Sequence, residues 1–215
     1  MHWKSSENLW NLLKPGETIL IEYSARSTPF IVFYSLIQWA KNNDFEILID
    51  DILDTLYAYK VQLSLAGIDL DLFSDLLVIK ESGRVEVGRI VGRMGIRDSA
   101  IYWSEYNKIM RPIFERAKRL IINIILGIEK LFVLADSKRE ILNNINNILS
   151  WTGNTKRITF YFINTDLVNT LGIGVLPLLE ELASTVINVD KDEGRVKLLI
   201  TKSINNELDG LEINL

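Results

Sequence analysis

The 215-residue chain has no cysteine and a single histidine. The missing cysteine excludes disulfides, thiolate metal sites and cysteine nucleophiles. The histidine, His2, stands at the start of the chain, which excludes zinc sites built from several histidines and Ser-His-Asp triads. No apolar run reaches the roughly 18 residues of a membrane span. The longest candidate, residues 120–127, is interrupted by Asn123 and has the length of a buried strand. Residues 1–15 carry Lys4, Glu7 and Lys14 without a continuous apolar stretch, so no secretory leader is expected and the protein is read as cytoplasmic. With 48% hydrophobic residues and a net charge of −4, the composition excludes a disordered chain.

The charge is unevenly spread. Residues 1–79 hold 5 basic and 11 acidic side chains, residues 80–119 hold 10 and 5, and residues 120–215 hold 9 and 12. The basic middle segment has two readings. Its charges pair with acidic neighbours on a solvated surface, or Arg84, Arg89, Arg93 and Arg97 form a patch for an anionic partner. Tyr102, Trp103 and Tyr106 stand nearby as stacking surfaces if that partner is a nucleic acid.

The hydrophobic pattern predicts a helix over 5–13, ended by Pro15-Gly16, and then a strand over 18–22. A helix from Pro29 to about Lys41 follows, then a strand over 46–49 ending in Asp50-Asp51, a helix over 53–66 and a strand over 76–80. These strands are apolar throughout rather than alternating, which argues for a parallel sheet covered on both faces. Residues 83–103, punctuated by three Gly-Arg pairs, predict an extended excursion or hairpin. Next come a helix over 104–118 bent near Pro112, a strand over 120–126 and two helical pieces within 128–150. A strand over 157–163, a helix over 174–183 and a hairpin of 185–189 with 195–201 follow, and residues 211–215 add an edge strand. With no repeat and no linker, residues 1–215 are taken as one α/β domain with a C-terminal antiparallel hairpin.

Several stretches carry a family resemblance. Pro15-Gly16-Glu17 leads into a strand ending Ile21-Glu22, tandem acids follow the second strand, and the final hairpin ends near Lys202. In the order of its elements, nearly the whole chain resembles the RecA/KaiC-like branch of P-loop ATPases. The stretches 49–56 and 126–131 also resemble a small group of uncharacterised archaeal proteins of that fold. The resemblance implies a phosphate-binding turn after the first strand, of the pattern Gly-x-x-x-x-Gly-Lys-Ser/Thr. Its glycines free backbone N–H groups to wrap phosphates, the lysine reaches the β/γ oxygens and the hydroxyl holds magnesium. Here the glycine positions fall on Tyr23 and Thr28, the lysine on Pro29 and the hydroxyl on Phe30. Arg26 can supply charge, and Ser24, Ser27 and Thr28 hydrogen bonds.

The other parts have diverged unequally. Asp50-Asp51 matches the acidic pair that helps activate water in KaiC-like ATPases, or caps the helix that follows. The position of the metal-holding aspartate falls near Leu126 or Gly127, with Glu129 displaced along the next helix. Lys202 matches a lysine that acts across a subunit boundary, but its companion arginine position holds Ile204. Asn164-Thr165-Asp166 ends a strand as a sensor residue would, or serves as a helix cap.

Without the lysine and the metal aspartate, the positioning and charge stabilisation that phosphoryl transfer needs are gone. The expectation is therefore a non-catalytic RecA-like protein without metal or cofactor, engaging a protein or peptide at the vacated cleft, where Tyr23, Arg26, Phe30 and Tyr34 would line the rim, or at the sheet edges. Self-association would use the same surfaces. A divergent nucleotide-binding enzyme using Arg26 and Asp50 or Asp51, and a nucleic-acid accessory protein using residues 80–119, are the alternatives.

Overall fold

A computed structural model describes residues 9–172, 174–192 and 194–215. Residues 5–8 of the helix expected over 5–13, and His2 with them, lie outside the described residues; Leu9 and Trp10 are helical, but residues 11–13 are not.

The chain runs β1 (Thr18–Tyr23), α1 (Pro29–Asn42), β2 (Glu46–Ile52), α2 (Thr55–Leu65), β3 (Leu77–Glu81), β4 (Arg89–Met94), α3 (Ser99–Arg116) and β5 (Ile121–Leu126). It continues through α4 (Glu129–Val133), α5 (Lys138–Leu149), β6 (Arg157–Asn164), α6 (Thr165–Asn169), α7 (Val175–Leu182), β7 (Thr185–Asp192), β8 (Arg195–Ser203) and β9 (Glu212–Asn214). Among the described residues the nine strands join one sheet in the order β4-β3-β2-β5-β6-β1-β7-β8-β9. Strands β1 to β7 pair in parallel, and β8 and β9 extend the sheet antiparallel. This is the α/β fold expected from the apolar strands.

Two apolar layers sandwich the sheet. Helices α1 and α2 cover one face, where Phe33, Leu36 and Ile37 of α1 meet Ile49, Ile124 and Phe162. Their spacing of three and four residues places them on one helical stripe. Helices α3, α5 and α7 cover the other face, with Tyr106, Met110, Ile145 and Leu179 against Leu48, Ile125 and Tyr161. Because successive strand side chains alternate between faces, adjacent residues at a strand end report to different layers.

Three boundaries differ from the sequence expectation. Strand β2 runs on through Asp50 and Asp51 to Ile52, so the acids lie inside the sheet. Helix α3 begins at Ser99, five residues early, with Asp98 accepting a hydrogen bond from the Ala100 N–H. Residues 83–103 do not form a hairpin, since β4 pairs with β3 in parallel. The connection of residues 82–88 is long enough for that without a helix. Seven residues span up to about 24 Å extended, more than the rise of the five-residue β3.

Candidate functional site

In a sheet of this kind ligands bind beyond the carboxyl ends of the strands. There, three backbone donors of the turn after β1 are used within the chain. The Ala25 N–H donates to the Asp166 carboxylate at 2.8 Å, the Arg26 N–H to Ser24 Oγ at 3.3 Å and the Ser27 N–H to the Ser24 carbonyl at 3.0 Å. Ser24 and Ser27 share a hydroxyl contact, and Ser27 Oγ reaches the Val189 carbonyl on β7. Thr165 Oγ1 donates to the Tyr23 carbonyl. Thr28 precedes α1 without a side-chain cap bond, and Pro29 brings no N–H to its first turn. An aspartate thus takes one of the backbone donors of the turn after β1.

The Tyr23 side chain is only 8% exposed and belongs to the core, not to the rim. Phe30 and Tyr34 pack half-buried against the same core, and Arg26 is exposed. Burial raises the Tyr23 hydroxyl well above the ordinary phenol range, with the negative charge of Glu129 adding to it. Glu129 is itself buried, its Oε2 has no hydrogen-bond partner, and burial pushes its carboxyl up to about 7.

The tandem acids of β2 separate to opposite faces. Asp51 lies on the α1/α2 side, where Oδ2 takes a hydrogen bond from Lys80 Nζ at 2.6 Å and Oδ1 takes the Leu56 N–H at 2.9 Å. Asp51 therefore caps α2 from inside the strand, which accounts for its capping without its being the residue next to the helix. Lys80 also pairs with Asp54. Burial of Asp54 acts to raise its pKa, but hydrogen bonds from Lys80 and from the Arg84 and Val85 N–H groups hold it near 2. Lys130 closes the same loop by donating to Thr55 Oγ1 at 2.6 Å and to the Leu53 carbonyl at 3.2 Å. The loop needs this support, because Leu53 and Asp54 both adopt left-handed backbone, at φ 52° and 61°.

Asp50 lies on the α3 side and is fully enclosed. Tyr106 donates to it at 2.8 Å and Asn123 at 3.3 Å, and Arg157 donates to Asn123 at 2.6 Å. Burial raises Asp50 to about 6, against the pull of these donors and of the Arg157 charge. The Arg157 guanidinium stacks over Phe114 and Trp151, at 5.2 and 5.3 Å from their centroids. Glu81 joins this layer through Tyr102, and burial with the Asp50 charge nearby raises its pKa well above the ordinary range. Among the described residues no group of three or more histidines or carboxylates converges to hold a metal ion.

The remaining sequence candidates are accounted for as follows. Lys202 Nζ donates to the Glu180 carbonyl at 2.6 Å and caps the end of α7 in its own chain. Asn164 Oδ1 accepts the Asp166 and Leu167 N–H groups, as a helix cap does. Gly127, where the metal aspartate would fall, has φ +86° and packs against Ile52 and Thr55. Tyr102, Trp103 and Tyr106 are at most 5% exposed, so they offer no stacking surface. Arg93 and Arg97 line an open cavity of about 530 Å³ beyond β3 and β4, together with Lys80, Lys108 and Glu105. Arg84 and Arg89 are exposed outside it.

Sequence reasoning missed Lys80, Glu81, Lys130, Asn123 and Arg157. The signal was there in a polar or charged residue interrupting or bordering an apolar strand, as Asn123 does in β5 and Lys80-Glu81 do in β3.

Comparison with known proteins bears on both fold and family. The family described as Pyrococcus protein of unknown function, DUF257, matches residues 8–214. A Pyrococcus horikoshii protein solved in a structural study is 32% identical, over 97% of this chain and 97% of its own, with a TM-score of 0.84. A KaiC-like protein from the same hyperthermophilic archaeon is 13% identical over 93% of this chain and 85% of its own, with a TM-score of 0.63. An uncharacterized P. horikoshii protein, crystallised in complex with an unknown peptide, is 14% identical over 98% and 96%, with a TM-score of 0.62. No curated protein matches the chain. The fold is RecA-like.

Proposed function

The chain belongs to the Pyrococcus family of unknown function DUF257, and we propose that it is a non-catalytic RecA-like protein that binds a protein or peptide. The binding surface is the carboxyl rim of the sheet or the sheet edges. One observation carries this reading. The turn after β1, the phosphate cradle of the P-loop fold, is closed from within by Asp166 on the Ala25 N–H and by Ser24 on the Arg26 and Ser27 N–H groups.

A carboxylate at that place repels phosphate and takes the donor phosphate would need. Two cations near the strand ends are engaged elsewhere, Lys80 with Asp51 and Asp54, and Lys130 with the β2–α2 loop, while Arg26 of the turn itself is exposed. Phosphoryl transfer rests on positioned cations and donors, and here these hold the fold together. The RecA-like neighbour crystallised with a peptide is in keeping with a polypeptide partner on such a scaffold.

A phosphate-release assay with Mg-ATP tests the non-catalytic part, and the expected rate equals the buffer blank. Turnover that disappears in a folded Asp51→Asn variant would instead support the divergent-enzyme reading.

A further inference from the structure

The open edge of the sheet at β4 carries an inference that rests on the peptide-binding reading and assigns it a place and a chemistry. We propose that β4 receives an extended acidic peptide as an additional strand, with the peptide's carboxylates held by Arg93, Arg97 and Lys108.

Strand β4 ends the sheet order, so among the described residues one of its sides has no strand beside it. The Arg89 N–H donates to the Leu76 carbonyl, and the Met94 carbonyl accepts from the Ser82 N–H. Those residues turn their main chain towards β3. Five residues apart, they face the same way only because the register shifts between Val78 and Ile79, where Val91 is skipped; counted back from Met94, alternation turns the N–H and C=O of Arg93 outward, as an edge that accepts a strand requires.

The side chains match the same partner. Arg89, Val91 and Arg93 are exposed along the strand, which suits a peptide alternating acidic and apolar residues. At the carboxyl end of β4 the 530 Å³ cavity presents Arg93, Arg97 and Lys108. Arg93 pairs with Glu86 and Arg97 with Glu105, but both arginines are more than half exposed. Exposed pairs of this kind hold weakly and exchange readily for a partner's carboxylate. Lys108 has no ion pair among the described residues.

The segment 80–119 has a net charge of +5 in a chain of −4, which complements an acidic partner and disfavours pairing between two copies of β4. A nucleic acid fits less well. The aromatics that would stack bases are buried, and the unpaired main-chain groups complement a peptide backbone rather than a sugar-phosphate one.

The test is fluorescence anisotropy on the whole protein with a labelled peptide alternating Glu and Val. The probes beside it are its Lys/Val counterpart, the Glu/Val peptide methylated on alternate backbone nitrogens, and a single-stranded oligonucleotide. The expected result is binding of the Glu/Val peptide alone, weakened roughly tenfold or more in Arg93→Glu/Arg97→Glu and retained in Arg26→Glu at the cleft rim. Equal binding of the methylated peptide, preference for the oligonucleotide, no effect of the β4 variant or no binding would each overturn the proposal. Loss in Arg26→Glu with retention in the β4 variant would also overturn it, while leaving the peptide-binding reading in place at the cleft.

Discussion

Asp50 and Asp51 are adjacent in sequence, yet one meets Tyr106 and Asn123 beneath α3 and the other Lys80 beneath α2. The resemblance marks them as one acidic pair, but the pleat of β2 assigns them two structural tasks. Asp51→Asn leaves the buried Lys80 ammonium with Asp54 alone and should cost about 3 kcal/mol. Asp54→Asn, at the more exposed partner, should cost distinctly less; urea denaturation of both variants checks the order. Glu129 makes a different prediction. Burial raises its folded pKa from the ordinary 4.5 to about 7, so folding favours the protonated acid. That contribution is complete below pH 4.5 and is lost as pH rises through 7. Glu129→Gln should therefore flatten the fall in stability between pH 5 and pH 8, by on the order of 1–3 kcal/mol. An unchanged slope in thermal melts across that range would contradict the assignment.

Among the elements, the apolar strands β1, β2, β3, β5 and β6 were legible because a strand buried on both faces has no polar alternation to mistake. The end of β2 was not. Its acids read as the close of a strand, because the partners that let them stay inside, Lys80, Tyr106 and Asn123, are supplied from 29 to 73 residues away. Strand β4 was read only as part of an extended excursion or hairpin, for a related reason. Its Gly-Arg pairs resemble turn punctuation, whereas Gly92 is there because a side chain would meet Ile109 of α3 and Ile79 of β3, each 2.8 Å from an added Cβ. The junction after β5 can be tested directly. Gly127 combines φ +86° with an added Cβ 2.7 Å from the Ile52 carbonyl, so Gly127→Ala should destabilise by about 2 kcal/mol or more in denaturant titration.

For the whole molecule, the RecA-like order of elements was readable from the chain, and so was the loss of the phosphate-binding signature at Tyr23, Thr28, Pro29 and Phe30. What replaces that signature was not readable. Asp166 lies 141 residues beyond the amide it occupies, and only the parallel pairing of β1 with β6 brings the two strand ends together. In the turn after β1, the chain's own groups thus use the Ala25, Arg26 and Ser27 N–H donors. Titration calorimetry with Mg-ATP on the native protein, beside Asp166→Ala, tests this most directly. The account predicts no saturable heat for the native protein. Micromolar binding by the native protein, unchanged or weakened in Asp166→Ala, would contradict it.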